Sequence, residues 1–195
     1  MEKPIKYFII SDTHWLHSRA IEFCNRPVNF DQKIIKLWKT IVRPKDVVIN
    51  LGDVIWGNKA TLKEIMDQLP GTKILVKGNH DKHGKNWFIE SGFSFVADQI
   101  TIGKFVLSHK PSWLSEKDIE EGKVNIHGHF HNVNFERWEP YLVERLTPNH
   151  YLFSIEFVGY RPVELTQAII DKEYIISSLN LKNKGIMGIN PKFKK

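Results

Sequence analysis

Short apolar runs in this chain end again and again on polar residues able to do chemistry, and that pattern limits the folds open to it. The run Ile74-Leu75-Val76 is the clearest case. It reads as a buried parallel strand, and Lys77-Gly78-Asn79-His80-Asp81 follows it directly. An amide, an imidazole and a carboxylate on consecutive residues would each need a partner if buried. A loop at the carboxyl end of a strand in an open α/β sheet meets that need, because ligands bind there. Four other places in the chain repeat the arrangement.

Ile5 to Ile10 reads as the first strand, followed by Ser11-Asp12-Thr13-His14 and then Trp15-Leu16-His17. Asp12 and His14 are two apart, so in extended chain they point to the same side and can reach one metal ion. The competing reading is an N-cap for a helix from about Ser18 to Cys24. Arg26, in the loop Asn25-Arg26-Pro27-Val28-Asn29, is either a solvated residue or a phosphate clamp, since a guanidinium matches phosphate bidentately. Asp31 is expected to cap a helix reaching about Val42. Asp46 to Leu51 reads as the second strand, closed by Gly52-Asp53, a pair that also suits an ordinary turn. Thr61-Leu62-Lys63-Glu64 has the form of a capping box for a helix to about Leu69.

After Gly92 the pattern changes. Phe93 to Ala97, Gln99 to Ile102 and Lys104 to Leu107 read as short strands with tight turns, suggesting a second, partly antiparallel sheet. The last ends at Ser108-His109-Lys110-Pro111. Lys123 to Ile126 is another strand, ending in His127-Gly128-His129-Phe130-His131. His129 and His131 repeat the Asp12/His14 spacing, and Gly128 permits close approach. His127 belongs to the strand and reads as buried and hydrogen-bonded. Tyr151 to Val158 reads as a late strand. Arg161-Pro162-Val163 is expected to start a helix through about Ile170, and a further helical or strand-like stretch ends near Leu181. The expected organisation is one domain over residues 1–181 and a basic tail, Lys182 to Lys195, whose default reading is a mobile terminus.

Composition sets the surroundings. With 195 residues, 42% hydrophobic and 26% charged, the chain suits one soluble domain with a sizeable core. Alternating strand-like and helical runs favour α/β layers. The single Cys24 leaves no internal disulfide and fits a reducing cytoplasm. The run Tyr7-Phe8-Ile9-Ile10 is too short for a signal peptide and is broken by Asp12. No stretch approaches the roughly 20 apolar residues of a membrane span. The net charge of +6 suits acidic partners without naming one.

The strand ends together supply Asp12, His14, Asp53, Asn79, His109, His129 and His131. This is a mixed oxygen and nitrogen set with no thiolate, suited to Mn, Fe, Zn or Ni more than to a structural zinc. Seven ligands are too many for one tetrahedral ion and suit two divalent ions sharing a bridging carboxylate. His80 and Asp81 remain, a histidine beside a carboxylate that can orient and charge it.

In this order, Asp12-x-His14, Gly52-Asp53, Gly78-Asn79-His80-Asp81, His109 and Gly128-His129-x-His131 resemble the motif set of the calcineurin-like metallophosphoesterase superfamily. Asp12-Thr13-His14-Trp15-Leu16-His17, Asn25-Arg26-Pro27 and Tyr160-Arg161-Pro162-Val163 further resemble a compact bacterial and phage subgroup. The resemblance implies an α/β fold, a four-layer α/β/β/α sandwich of two mixed sheets. It implies that Asp12, His14 and His131 hold a first metal, that Asn79, His109 and His129 hold a second, and that Asp53 bridges them. The reaction implied is attack of a metal-bridging hydroxide on phosphorus. His80 would be a general acid or a phosphate contact, oriented by Asp81; general acid help is worth roughly 10²–10⁴-fold. His17 and Arg26 are the candidates for contacting the non-bridging phosphate oxygens. Gly52-Asp53 continues as Val54-Ile55-Trp56, without the acidic and Arg residues of the Ser/Thr phosphatase branch, which argues against protein dephosphorylation.

The reading is therefore a dinuclear phosphoesterase, manganese being the expected metal, acting as a phosphodiesterase on a small nucleotide or a nucleic-acid end. Alternatives are a nuclease on polymeric nucleic acid, in keeping with the basic tail, and a non-catalytic metal-binding scaffold of the same fold. A complete ligand set with His80 present weighs against the scaffold. No membrane partner is expected.

Overall fold

The computed structural model describes residues 3–132, 139–166, 169 and the backbone of 176–177. In chain order the elements are β1 (Tyr7–Ile10), α1 (Arg19–Phe23), α2 (Phe30–Ile41), β2 (Val47–Asn50), α3 (Lys59–Asp67), β3 (Thr72–Val76), α4 (Lys85–Glu90) and β4 (Phe95–Ala97). They continue with β5 (Gln99–Ile102), β6 (Phe105–Ser108), α5 (Glu116–Glu120), β7 (Val124–His127), α6 (Pro140–Val143), β8 (His150–Leu152), β9 (Val163–Glu164) and β10 (Ile176–Ser177).

Two five-stranded sheets result, ordered β4-β3-β2-β1-β9 and β10-β8-β7-β6-β5. In the first, β1 to β4 are parallel and β9 runs antiparallel to β1. In the second, β6, β7 and β8 are parallel, flanked by antiparallel β5 and β10. Both sheets are mixed, as expected.

Side-chain alternation along each strand sorts the core into layers. Phe8 and Ile10 of β1, Val48 of β2 and Leu75 of β3 pack against Ile34 and Trp38 of α2 and Leu62 and Met66 of α3. Their strand neighbours Ile9, Ile49 and Val76 face the other way, onto Leu107 of β6 and Ile126 of β7. The far side of the second sheet carries Leu152 against Leu142 and Val143 of α6 and Phe130. This is the four-layer α/β/β/α sandwich. Strands covered on both faces carry continuous apolar runs, which is why β1 to β3 were legible as buried strands.

Local details differ from the sequence reading. Asp31 does not cap α2: the helix opens at Phe30, its Asn29 cap makes no side-chain bond, and Asp31 accepts from the Leu16 amide at 3.2 Å. Asn58, not Thr61, caps α3, accepting from the Thr61 amide at 2.9 Å. A capping box forms instead at Ser115 with Asp118 on α5. β4 joins the first sheet instead of the second, parallel to β3. The late strand is shorter than expected, β8 ending at Leu152 before turns take over. Val163–Glu164 is a strand, not a helix start, because it covers the open edge of β1. The expected helical residues near Ile170, the stretch to Leu181 and the tail Lys182–Lys195 lie largely or wholly outside the described residues.

Candidate active site

Parallel pairing puts the carboxyl ends of β1, β2 and β3 side by side, with Ile10, Asn50 and Leu75 in register. The loops that follow are tied together by backbone. The Asp12 amide donates to the Gly52 carbonyl at 2.9 Å, and the His14 amide to that of Asp53 at 3.0 Å. Ser108 of β6 is in register with His127 of β7, so His109 and the His129–His131 turn leave the second sheet together. The Gly128 amide donates to the His109 carbonyl at 3.0 Å. The two sheets thus deliver both groups of loops to one edge of the sandwich.

The backbone here is under strain. Asp12, His14, Asp53, His129 and His131 all have positive φ, between 45° and 69°. Such conformations cost of order 1–3 kcal/mol each and persist where the surroundings hold them, commonly at functional sites. Two glycines allow the loops to close. A Cβ on Gly78 would lie 2.1 Å from Asp53 Oδ1, and one on Gly128 1.9 Å from Ser11 Oγ.

The side chains gather around two centres. Asp12, His14 and His131 bring their ligand atoms within reach of one ion, and Asp53, His109 and His129 do the same. In the first group His14 Nε2 faces His131 Nε2 at 3.3 Å, and His131 Nε2 is 3.5 Å from Asp12 Oδ1. In the second, His109 Nε2 lies 2.9 Å from Asn79 Oδ1 and 3.2 Å from Asp53 Oδ2. Asp53 Oδ2 is also 3.8 Å from His14 Nε2. Asp53 therefore stands between the groups. His109 is fixed from behind, its Nδ1 on the Leu51 carbonyl at 2.8 Å.

These residues fit divalent ions on grounds of their own. Asp12 Oδ1 is buried and accepts no hydrogen bond. Two imidazole nitrogens meet head-on, and buried Asp12 and Asp53 bring two carboxylates into the same space. An unpaired buried charge is costly, and a cation among these atoms satisfies all of them. Burial, followed by repulsion from His131, lowers the His14 pKa well below the usual imidazole value. A neutral imidazole is the form that binds metal. Burial opposes charge on Asp53 too, but the bond to His109, the nearby His109 and His14 imidazoles and the His80 amide together outweigh it and hold the carboxyl far below its usual range.

His80 and Asp81 separate. The His80 amide donates to Asp53 Oδ1 at 2.8 Å, while its half-exposed ring puts Nε2 4.0 Å from Asp53 Oδ2. Asp81 was expected to orient this imidazole. Instead its buried carboxylate accepts the amides of Asp53 at 2.9 Å, Val54 at 3.0 Å and Gly78 at 2.8 Å. Asp81 pins the loops after β2 and β3 together, and its oxygens are taken up by amides on the side of the backbone. His17 is partly exposed and stacks on Trp56 at 4.5 Å, with its ring 5.5 Å from that of His14. It stands at the rim of the centre.

Arg26 is not at the mouth of the site. It is buried, bonded through Nε and a terminal nitrogen to Glu156 at 2.9 and 2.6 Å and to the Thr13 and Asp12 carbonyls at 3.1 and 2.8 Å. With those donors engaged behind the Asp12–His14 loop, it is a brace for that loop and not a phosphate clamp. His127 is fully buried, as expected, with Nδ1 against the Gly128 carbonyl at 2.9 Å, and burial pushes its pKa down to about 3.

Two acids escaped the sequence reading. Glu156 lies 3.3 Å from His131 Nδ1 and accepts from Ser154 Oγ at 2.5 Å. It fixes the His131 ring with Nε2 turned toward Asp12, as carboxylates behind metal-binding histidines do. Glu139 contacts His129 Nε2 directly and accepts from Lys110 at 2.7 Å and Tyr141 at 2.8 Å. A lone acid in the apolar stretch Ile155-Glu156-Phe157 was a usable signal; Glu139, ahead of Pro140, carried none.

Two cavities share residues with the centre. One of about 250 Å³ is reached past His80 and is lined by Trp56, His83 and Trp87 among others. Another of about 380 Å³ lies by Asn79 and His109, lined also by Lys77, Lys110 and Ser112.

A two-sheet α/β/β/α sandwich with an Asp/His/Asn cluster at its strand ends defines a metal-dependent hydrolase class. The chain belongs to the calcineurin-like phosphoesterase family, whose profile matches residues 5–170. It is 32% identical over 183 residues to the uncharacterized protein MJ1445 of Methanocaldococcus jannaschii, covering 90% of this chain and 97% of that protein. The crystal structure of the protein of unknown function AQ665 from Aquifex aeolicus superposes with a TM-score of 0.64 at 27% identity, covering 87% of this chain and 99% of that one. Family membership supports metal-dependent phosphoester hydrolysis. No helix among the described residues is long and apolar enough to cross a membrane.

Proposed function

We propose that this protein is a phosphodiesterase that uses two divalent ions, manganese foremost, on a small nucleotide or a nucleic-acid end in the cytoplasm. Asp12, His14 and His131 would hold one ion, Asn79, His109 and His129 the other, and Asp53 would join them. The ions, when bound, supply an activated water at neutral pH and neutralise phosphoryl charge. The chain's own groups do the rest. Glu156 and the Leu51 carbonyl fix the His131 and His109 rings, and Asp81 fixes the loops that carry Asp53 and Asn79. His80, next to Asp53 yet half-exposed, is placed to give a proton to a leaving oxygen. The two cavities that share residues with the centre give each arm of a diester somewhere to lie, which favours a diester over a monoester. The single buried cysteine suits a reducing compartment.

The observation that carries the reading is Asp53, set between His14 and His109 and within 4.0 Å of His80. Asp53→Asn should lose bound metal and bis-p-nitrophenyl phosphate turnover together. Mass-spectrometric metal counting beside the assay checks this. A variant with two ions per chain and normal turnover would remove Asp53 from the bridging position.

A further inference from the structure

The smaller cavity has a composition that phosphoryl chemistry does not require. Its lining includes Trp56, His80, Lys82, His83, Trp87 and Phe88. Members of two stacked aromatic pairs meet there. Trp56 stacks on His17 at 4.5 Å and 19°, and His83 on Trp87 at 4.1 Å and 11°. Trp56 is 54% exposed, and its ring centroid is 5.6 Å from that of His80. The segment is held in place from below: Lys77 donates to the His83 carbonyl at 2.7 Å and sits 5.9 Å over the Phe88 ring. Lys82 is exposed and has no ion-pair partner among the described residues.

We propose that this cavity is a nucleobase subsite, taking the base of a nucleoside whose phosphoester group lies at the Asp53 centre beyond His80. The proposal rests on the phosphodiesterase reading for its placement and goes beyond it by naming the group recognised. Flat aromatic faces bind bases through stacking with little regard to base identity. The imidazoles of His80 and His83 offer hydrogen-bonding nitrogens to a base edge, and Lys82 adds a cation where an anionic backbone would run. At about 250 Å³ the cavity falls below the roughly 300–1,000 Å³ of sites that enclose a whole drug-sized ligand. It therefore admits one ring system and leaves the phosphate outside, next to His80. Trp87 also packs against the core, but Trp56 is left exposed at the opening, and exposed aromatic surface beside a cavity marks a binding site.

The test separates base binding from catalysis. Adenosine, which carries the base and no phosphate, is titrated into the full chain by calorimetry, with ribose and phenol as controls. Adenosine should bind saturably, ribose should not, and Trp56→Ala should weaken adenosine binding about tenfold or more, while Trp56→Phe keeps most of it. Trp56 is exposed, so both variants should fold. In the manganese-loaded protein, the kcat/KM ratio for adenosine 5′-(p-nitrophenyl phosphate) over methyl p-nitrophenyl phosphate should fall about tenfold in Trp56→Ala. Absent adenosine binding, or binding unchanged in Trp56→Ala, overturns the subsite. Phenol binding as tightly as adenosine overturns the nucleobase assignment. Adenosine binding that depends on Trp56, with neither ester turned over, upholds the subsite and overturns only the reaction it was attached to.

Discussion

At Arg26 one guanidinium holds a carboxylate and two backbone carbonyls at once. Burial works against its charge, and the Glu156 carboxylate overcomes that, so its pKa is raised, while that of Glu156 is held far below the usual range. The chemistry that made Arg26 look like a phosphate clamp, a fork that matches two oxygens, is used here on an internal carboxylate. Nothing near Arg26 in sequence foretold this, because Glu156 is 130 residues away. The reading of Asp81 failed for a related reason: adjacency in sequence suggested a partnership with His80, but the stronger claim on its oxygens came from three amides. The test at Arg26 is sharp. Arg26→Ala leaves Glu156 buried without its cation, and breaking such a pair typically costs about 3–5 kcal/mol. The denaturation midpoint should fall accordingly. A phosphate clamp would instead leave stability intact and raise KM alone, and that result would restore the original reading.

The elements carry the site by their ends. Asp12/His14 and His129/His131 were legible because a two-residue spacing after an apolar run has a definite geometric meaning. The cost of that arrangement, five candidate ligand residues at positive φ, has no sequence signature beyond the glycines beside them. β9 was missed because two residues cannot show a period, and its strand state comes from pairing with β1. From sequence Gly128 signals only close approach, and the structure gives this a measure. An added Cβ would fall 1.9 Å from Ser11 Oγ and 2.4 Å from Asp12 Oδ2. Gly128→Ala must displace the Ser11 hydroxyl and the Asp12 carboxylate or push the β7 loop from the β1 loop, and either change disturbs Asp12 against His129 and His131. Overpacking of this kind typically costs about 1–3 kcal/mol. Manganese content should drop along with the urea midpoint. Normal content at a normal midpoint would show that the two loops can separate without harm to the site.

Across the whole molecule, the candidate ligand atoms are divided between the sheets. Asp12, His14, Asp53 and Asn79 follow strands of the first, and His109, His129 and His131 follow strands of the second. The sheets otherwise meet through the apolar layer of Ile9, Ile49, Val76, Leu107 and Ile126. That layer lies away from the edge where the carboxylates and imidazoles collect. Ions held at this edge would therefore clamp one sheet to the other at the place where apolar contact gives way to charge. Anything that binds the native state alone stabilises it by mass action, about 2.7 kcal/mol per site at a hundredfold excess over Kd. For a chain of 195 residues, each kcal/mol moves Tm by roughly 2–4 °C. Stripping the protein with EDTA should thus lower Tm by about 5–10 °C or more. Manganese added back should raise it in proportion to the logarithm of its concentration above Kd. Asp53→Asn, which would lack the proposed shared ligand, should begin near the stripped value and respond weakly to the metal. Scanning fluorimetry across a manganese series reads all three. A Tm that ignores both EDTA and manganese would mean that the sheets are held by the apolar layer alone, and that the strand-end cluster is satisfied without ions.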